Sequence, residues 1–198
     1  MAHALTAGHA LETNTGLDNR KLLMWLFLGS ECLFFGSLIA TYLLYRNRST
    51  VGPYPDDLFD IPFTSVSSFV LLMSSVAMVL ALAAIQRGDQ RGLRIWLFTT
   101  ALLGILFLSG QAFEFTEFHR EGLGLDVNLF GSTFFVLTGF HGAHVTVGVL
   151  ILLSLFVMAL RGRLTQAKSL NVELAGLYWH FVDVVWIAIF TLVYLIQP

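Results

Sequence analysis

Charged residues fall in clusters along this chain, and between the clusters run five stretches that are almost wholly apolar: residues 22–45, 63–85, 95–113, 127–160 and 174–196. A helix needs roughly 20 residues to cross the hydrocarbon core of a bilayer, and each stretch is near or above that length. The apolar residues run continuously instead of alternating, which predicts helices and not the ~10-residue alternating strands of a membrane barrel. The second, third and fourth stretches hold no Asp, Glu, Lys or Arg, and the third helix is expected to run on to about residue 117, past Glu114. The fourth stretch, at 34 residues or ~51 Å of helix, exceeds the membrane thickness and should tilt or project beyond it. The pattern predicts an all-α fold, an integral membrane bundle of five transmembrane helices. Residues 1–20 read as an N-terminal tail or surface arm, and 21–198 as a single membrane domain. The first stretch does not read as a cleavable signal: it is too long for the apolar region of one, and no small-residue cleavage site follows.

Composition supports lipid as the main solvent. Of the 198 residues, 56% are hydrophobic and only 12% charged, where ordinary soluble domains carry about 25% charged residues. The single cysteine, Cys32, excludes an intrachain disulfide and any multi-cysteine metal site. A net charge of -2 gives no case for nucleic-acid binding.

The basic residues predict an orientation. Arg20, Lys21, Arg87, Arg91, Arg94, Arg161, Arg163 and Lys168 fall on the side of the N-terminus, and only Arg46, Arg48 and Arg120 on the other. The positive-inside rule then puts the N-terminus in the cytoplasm and the C-terminus outside. Asp56, Asp57, Asp60, Glu117, Glu121 and Asp126 cluster on the outer side, either as a solvated acidic surface or as an attraction for a basic partner.

Six ionisable residues fall within or at the edge of the spans: Glu31, Glu114, Asp183, His141, His144 and His180. Each costs at least ~2.5–3.5 kcal/mol near the bilayer centre unless it faces protein, water or a polar lipid group. Glu31 and Asp183 each lie nine residues into a span that starts inside, ~14 Å above the inner boundary at the helical rise. Glu114 and His141 belong to the outer half. His180 and Asp183 are three apart and share a helix face, as do His141 and His144. Gly29, Gly36 and Ala40, and Gly139 with Ala143, form small-residue faces suited to close helix contact. The serines at 65, 67, 68, 74 and 75 suit helix contact or bonds back to their own helix. Several chemistries remain open on the residues alone. His141 and His180 are the natural pair for a haem, and the three histidines with a carboxylate would make a metal site. A proton path and a hydrogen-bonded structural or lipid-contacting set use the same residues. Serine-protease chemistry is disfavoured: "GAHVTVG" resembles the Ala-His segment of rhomboid proteases, but their Gly-x-Ser-Gly is replaced by Phe107-Leu108-Ser109-Gly110.

Four motifs, in order, resemble subunit III of haem–copper oxidases: "SECLFFGSL" (30–38), "GQAFEF" (110–115), "GFHGAHVTVG" (139–148) and "YWHFVDVVWIAIF" (178–190). The resemblance covers every span and implies the short five-helix bacterial form. It implies a chain without haem or copper of its own, those groups residing in partner subunits. Such a chain packs against subunit I, in a complex with subunit II and in some cases a small subunit IV. It binds phospholipid and supports proton uptake in a proton-pumping complex of the bacterial plasma membrane that reduces oxygen to water. Residue by residue, Glu31 matches the family's membrane-embedded glutamate beside lipid or subunit I. His141 and His144 match its helix-packing and lipid-headgroup region. His180 and Asp183 match a structural polar pair on the last helix, and Glu114 a buried glutamate with a polar partner at the outer level. The alternatives are a subunit III-like accessory protein of a nitric oxide reductase, and a b-type cytochrome membrane anchor that would use His141 and His180 directly. The electron donor, cytochrome c or quinol, stays open.

Overall fold

Each of the first four helices starts where a short polar side chain takes up free backbone N–H groups. In the computed structural model, which describes residues 16, 18–46, 48–49, 52 and 59–196, Asp18 accepts from the Arg20 amide at 2.8 Å and opens α1 (Asn19–Tyr45). Asp60 accepts from Phe63 and opens α2 (Ile61–Gln86). Asp89 accepts from Arg91 and Gly92 and opens α3 (Gln90–Arg120). Asn128 accepts from Gly131 and opens α4 (Leu129–Leu160). Such caps are typically worth about 1 kcal/mol each. They explain why α1 and α3 begin ahead of the apolar runs, at Asn19 and Gln90: a cap sets a helix start, and hydropathy does not report it. The last helix, α5 (Ser169–Ile189), follows a 3₁₀ turn at Gln166–Lys168 and ends in a π-helical segment, Phe190–Leu195. Among the described residues there is no extended strand. All five helices are long and apolar enough to cross a membrane. Residues 1–15 of the expected tail, with His3 and His9, lie outside the described residues, as do Asp56 and Asp57.

One end of the bundle, here the near end, gathers the start of α1, the α2–α3 turn and the α4–α5 connection. Gly88 (φ 78°) follows α2 and Gly162 (φ 67°) follows α4, both in the left-handed region that favours glycine. The Gly88 and Asp89 amides close the end of α2 on the Ile85 and Ala84 carbonyls. Gln166 donates to the Gln86 carbonyl at 2.6 Å and Arg94 to the Ala159 carbonyl at 3.2 Å, so two helix C-termini are capped from across the bundle. At the far end, Arg46 donates to the Leu192 and Ile196 carbonyls and ties α1 to the π segment. Of the acidic residues there, Asp60 serves as the α2 cap and Glu117 pairs with Arg120 at 2.6 Å.

α5 occupies the middle, touching α1, α2 and α4, while α3 packs on α2 and α4. Trp179 of α5 fixes this arrangement. Its ring fills a slot left open by Gly104 on α3 and Gly148 on α4; a Cβ at those positions would lie 2.6 and 2.8 Å from ring atoms. Its indole N–H donates to Ser74 of α2 at 2.9 Å. One side chain therefore meets three helices. α1 is held differently, by a single seam of Leu28, Phe35 and Tyr42, seven residues apart. The small-residue face expected to pack it is not used among the described residues. A Cβ at Gly29 or Gly36 would meet nothing within 4 Å, and the same holds for Gly139 on α4.

Candidate functional site

Because α1 buries only a narrow apolar seam against the bundle, a groove of about 660 Å³ remains between α1, α4 and α5 toward the near end. Phe27, Phe140, Val147 and Tyr178 are among its apolar and aromatic walls, and Glu31 and His144 are its carboxylic acid and its imidazole. Lys21 and Glu173 form an ion pair that joins the starts of α1 and α5. Asn171, nearby on α5, lines the groove.

Glu31 and His144 face each other from α1 and α4, with Oε2 3.3 Å from Nε2. The other ring nitrogen, Nδ1, lies 2.7 Å from the Phe140 carbonyl one turn back. The Tyr178 hydroxyl donates to the His144 carbonyl at 3.0 Å, which pins α5 to the same turn of α4.

His141 is not part of this groove. The expectation that it shares the lipid-contacting or subunit-facing role of His144 is corrected by its position, fully buried in the core. Its ring stacks on Trp186 (centroids 5.0 Å apart, planes at 24°) and meets the edges of Phe35 and Phe107. Among the described residues neither ring nitrogen has a hydrogen-bond partner. On the helical periodicity, residues three apart differ by ~60° around the axis, enough to send His141 inward and His144 to the groove.

His180 and Asp183 are brought together through a third residue. Ser75 of α2 donates to Asp183 Oδ2 and lies 2.7 Å from His180 Nδ1. With the one hydroxyl proton given to a carboxylate, Nδ1 must carry a proton and donate to the serine oxygen. The polar pair on the last helix is thus linked as a relay, His180 to Ser75 to Asp183. Asp183 Oδ1 has no hydrogen-bond partner among the described residues. Ser75 belongs to a row along α2: Ser68 accepts from the Trp186 indole at 2.8 Å, and Ser74 from Trp179. The serine-rich second span signalled this row, but its partners on α5 are readable only from the fold.

Glu114 is buried near the far end, where Thr64 of α2 donates to its Oε1 at 2.7 Å and Tyr194 of the π segment also engages it. The candidate haem ligands are not set against each other: His141 is enclosed by aromatic rings, and His180 turns to Ser75. Among the described residues, no group of three or more His, Cys, Asp or Glu is placed to hold a metal ion.

A family model for cytochrome c oxidase subunit III matches residues 2–197, nearly the whole chain. The chain belongs to that family. Curated relatives include the cytochrome c oxidase subunit 3 of Synechocystis sp., 43% identical over 194 residues, covering 96% of this chain and 82% of that protein. That of Bacillus sp. (strain PS3) is 39% identical over 188 residues, covering 94% and 91%. The quinol oxidase subunit 3 of Bacillus spizizenii is 40% identical over 171 residues, covering 86% and 84%. Membership in the subunit III family makes this chain a multi-pass membrane protein that works in a complex with other oxidase subunits.

Proposed function

We propose that this chain is the non-catalytic subunit III of a proton-pumping terminal oxidase of aerobic respiration, in a bacterial plasma membrane. The excess of basic residues at the near end favours that end as the cytoplasmic one. The haem and copper that reduce oxygen to water reside in partner subunits, and the chain packs on subunit I, with subunit II and in some cases a small subunit IV in the same complex. Cytochrome c or quinol is oxidised elsewhere in the complex.

The observation that carries the reading is the groove beside α1. A groove of about 660 Å³ with apolar walls, and with polar groups at Lys21, Glu173 and Asn171 by its near end, suits a phospholipid with its chains against α4 and α5. Held there, the lipid fills the space that α1 leaves open and gives the subunit a fixed shape against subunit I. A fixed contact keeps the mouth of the proton-uptake path hydrated. Slow proton supply would let reactive oxygen intermediates persist and damage the catalytic subunit.

The test is to purify the oxidase through a tag on this chain, then to free the chain in detergent. Reduced-minus-oxidised haem bands are expected in the complex and absent from the freed chain. Phospholipid should remain on the freed chain by mass spectrometry and fall in an Ala143→Phe variant, which fills the groove. The complex stripped of the chain should inactivate after several-fold fewer turnovers. Haem that stays with the freed chain would overturn the reading and make His141 and His180 ligands. An unchanged turnover lifetime would remove the protective role.

A further inference from the structure

The relay of His180, Ser75 and Asp183 is sealed at its aspartate and open at its histidine. Nδ1 of His180 is taken by Ser75 at 2.7 Å, and among the described residues the other ring nitrogen, Nε2, has no hydrogen-bond partner. The ring is only half-buried, and Nε2 is not enclosed as both nitrogens of His141 are. Tyr178, which lines the groove, is two residues from His180 and so ~160° away around α5. His180 therefore faces away from the groove, along the seam between α5 and α2.

Charge decides what Nε2 carries. Asp183 is 3% exposed, and a carboxylate in apolar surroundings needs a balancing charge. Glu31 and His144 face each other across the groove, Glu114 lies near the far end with Thr64, and His141 is enclosed by aromatic rings. His180 is the group left to balance it. As an imidazolium it gives the Nδ1 proton to Ser75 and keeps a second proton on Nε2. The other neutral filling has Asp183 donate to Ser75 and Ser75 to Nδ1, and it too leaves the ring proton on Nε2. Nε2 is a donor in both. Six residues past Leu174, His180 lies ~9 Å into the last apolar run. Acyl chains at that depth accept no hydrogen bond, so an open donor there calls for protein.

The seam also has a shape. Ile187, seven residues on, shares the His180 face of α5. With Ser65, Phe69 and Leu72 of α2 it lines a notch of about 290 Å³. Val76 on α2 and Val184 on α5 are exposed beside the donor. Donor and notch lie ~10 Å apart along one seam, a spacing that a single helix spans in two turns.

We infer that the α2–α5 seam is a docking surface for a transmembrane helix of a partner oxidase subunit. That helix presents a hydrogen-bond acceptor to His180 Nε2 and, about seven residues away, a bulky apolar side chain to the notch. The inference rests on the chain working in an oxidase complex.

Photo-cross-linking in membranes that hold the intact complex tests it. A photoreactive phenylalanine analogue in place of Val76 or Val184 should join this chain to one partner subunit. The joined segment should carry an acceptor side chain about seven residues from a large apolar one. Alanine in place of that acceptor should lower retention of this chain in the purified complex several-fold. Ser65→Phe, which fills the notch without touching the relay, should do the same while the freed chain keeps the parent melting temperature. Should Ser65→Phe fail to fold, the acceptor variant decides, because it leaves this chain unaltered. Lipid adducts alone at both positions, cross-links to a second copy of this chain, or a joined segment without an acceptor overturn the surface. Unchanged retention in a folded Ser65→Phe overturns it too. Such results in a complex that still co-purifies its haem overturn this inference alone, whereas a chain that brings down no oxidase subunit overturns the function and the inference together.

Discussion

Trp186 lies flat against His141 in the centre of the bundle, ring centroids 5.0 Å apart, while its own indole N–H is given to Ser68 on another helix. The tryptophan is fully satisfied and the histidine is not. Shape, not hydrogen bonding, accounts for the histidine ring here.

The His141→Phe substitution should therefore be tolerated. It keeps a flat ring on Trp186 and removes two polar atoms that lack partners, a change that is neutral or stabilising by about 1–3 kcal/mol. Retention of the chain in the purified oxidase, measured by thermal dissociation, should equal or exceed that of the parent. A clear loss would mean that the ring holds a hydrogen-bonded partner.

Ser75→Ala should be costly although the residue looks unremarkable in sequence. It removes the hydroxyl shared by His180 and Asp183 and leaves both without their bond, at about 1–3 kcal/mol. Asp183→Ala should lower the yield of assembled chain similarly. Because both break one network, the double variant should lose less than the sum of the two. Strict additivity in stability measurements would show that the relay does not act as a unit.

Gly104→Ala should lower stability by about 1–3 kcal/mol through overpacking. The new Cβ would lie 2.6 Å from the Trp179 ring and 2.9 Å from Val149. Pairing it with Trp179→Phe should recover part of the loss. No recovery would place the strain elsewhere than in the tryptophan slot.

The Lys21–Glu173 pair should matter little to stability, within about 1 kcal/mol, because both side chains remain about one-third exposed. Its expected effect is on the groove beside it. In Lys21→Glu, like charges at 21 and 173 should loosen the start of α1 and reduce co-purifying phospholipid, and adding Glu173→Lys should restore it. Unchanged lipid in Lys21→Glu would disconnect the pair from the groove.

Much of this protein is written in its sequence. Continuous apolar runs with charge only between them leave helices as the economical way to satisfy the backbone in lipid. The capping residues Asp18, Asp60, Asp89 and Asn128 are equally local signals. The identities of the ionisable residues within the spans were legible too, because each stands out against an apolar background. Their partners were not. Ser75 becomes the centre of a relay only when α2 lies along α5. Gly104 and Gly148 become a slot only when Trp179 enters between α3 and α4, while a Cβ at Gly29 or Gly36, alike in sequence, would meet nothing within 4 Å among the described residues. His141 and His144 parted in the same way, one into the aromatic core and the other to Glu31. Sequence spacing sets the angle between two side chains on a helix, but the rotation of that helix against its neighbours decides which of them is buried. That rotation is a property of the whole packed bundle.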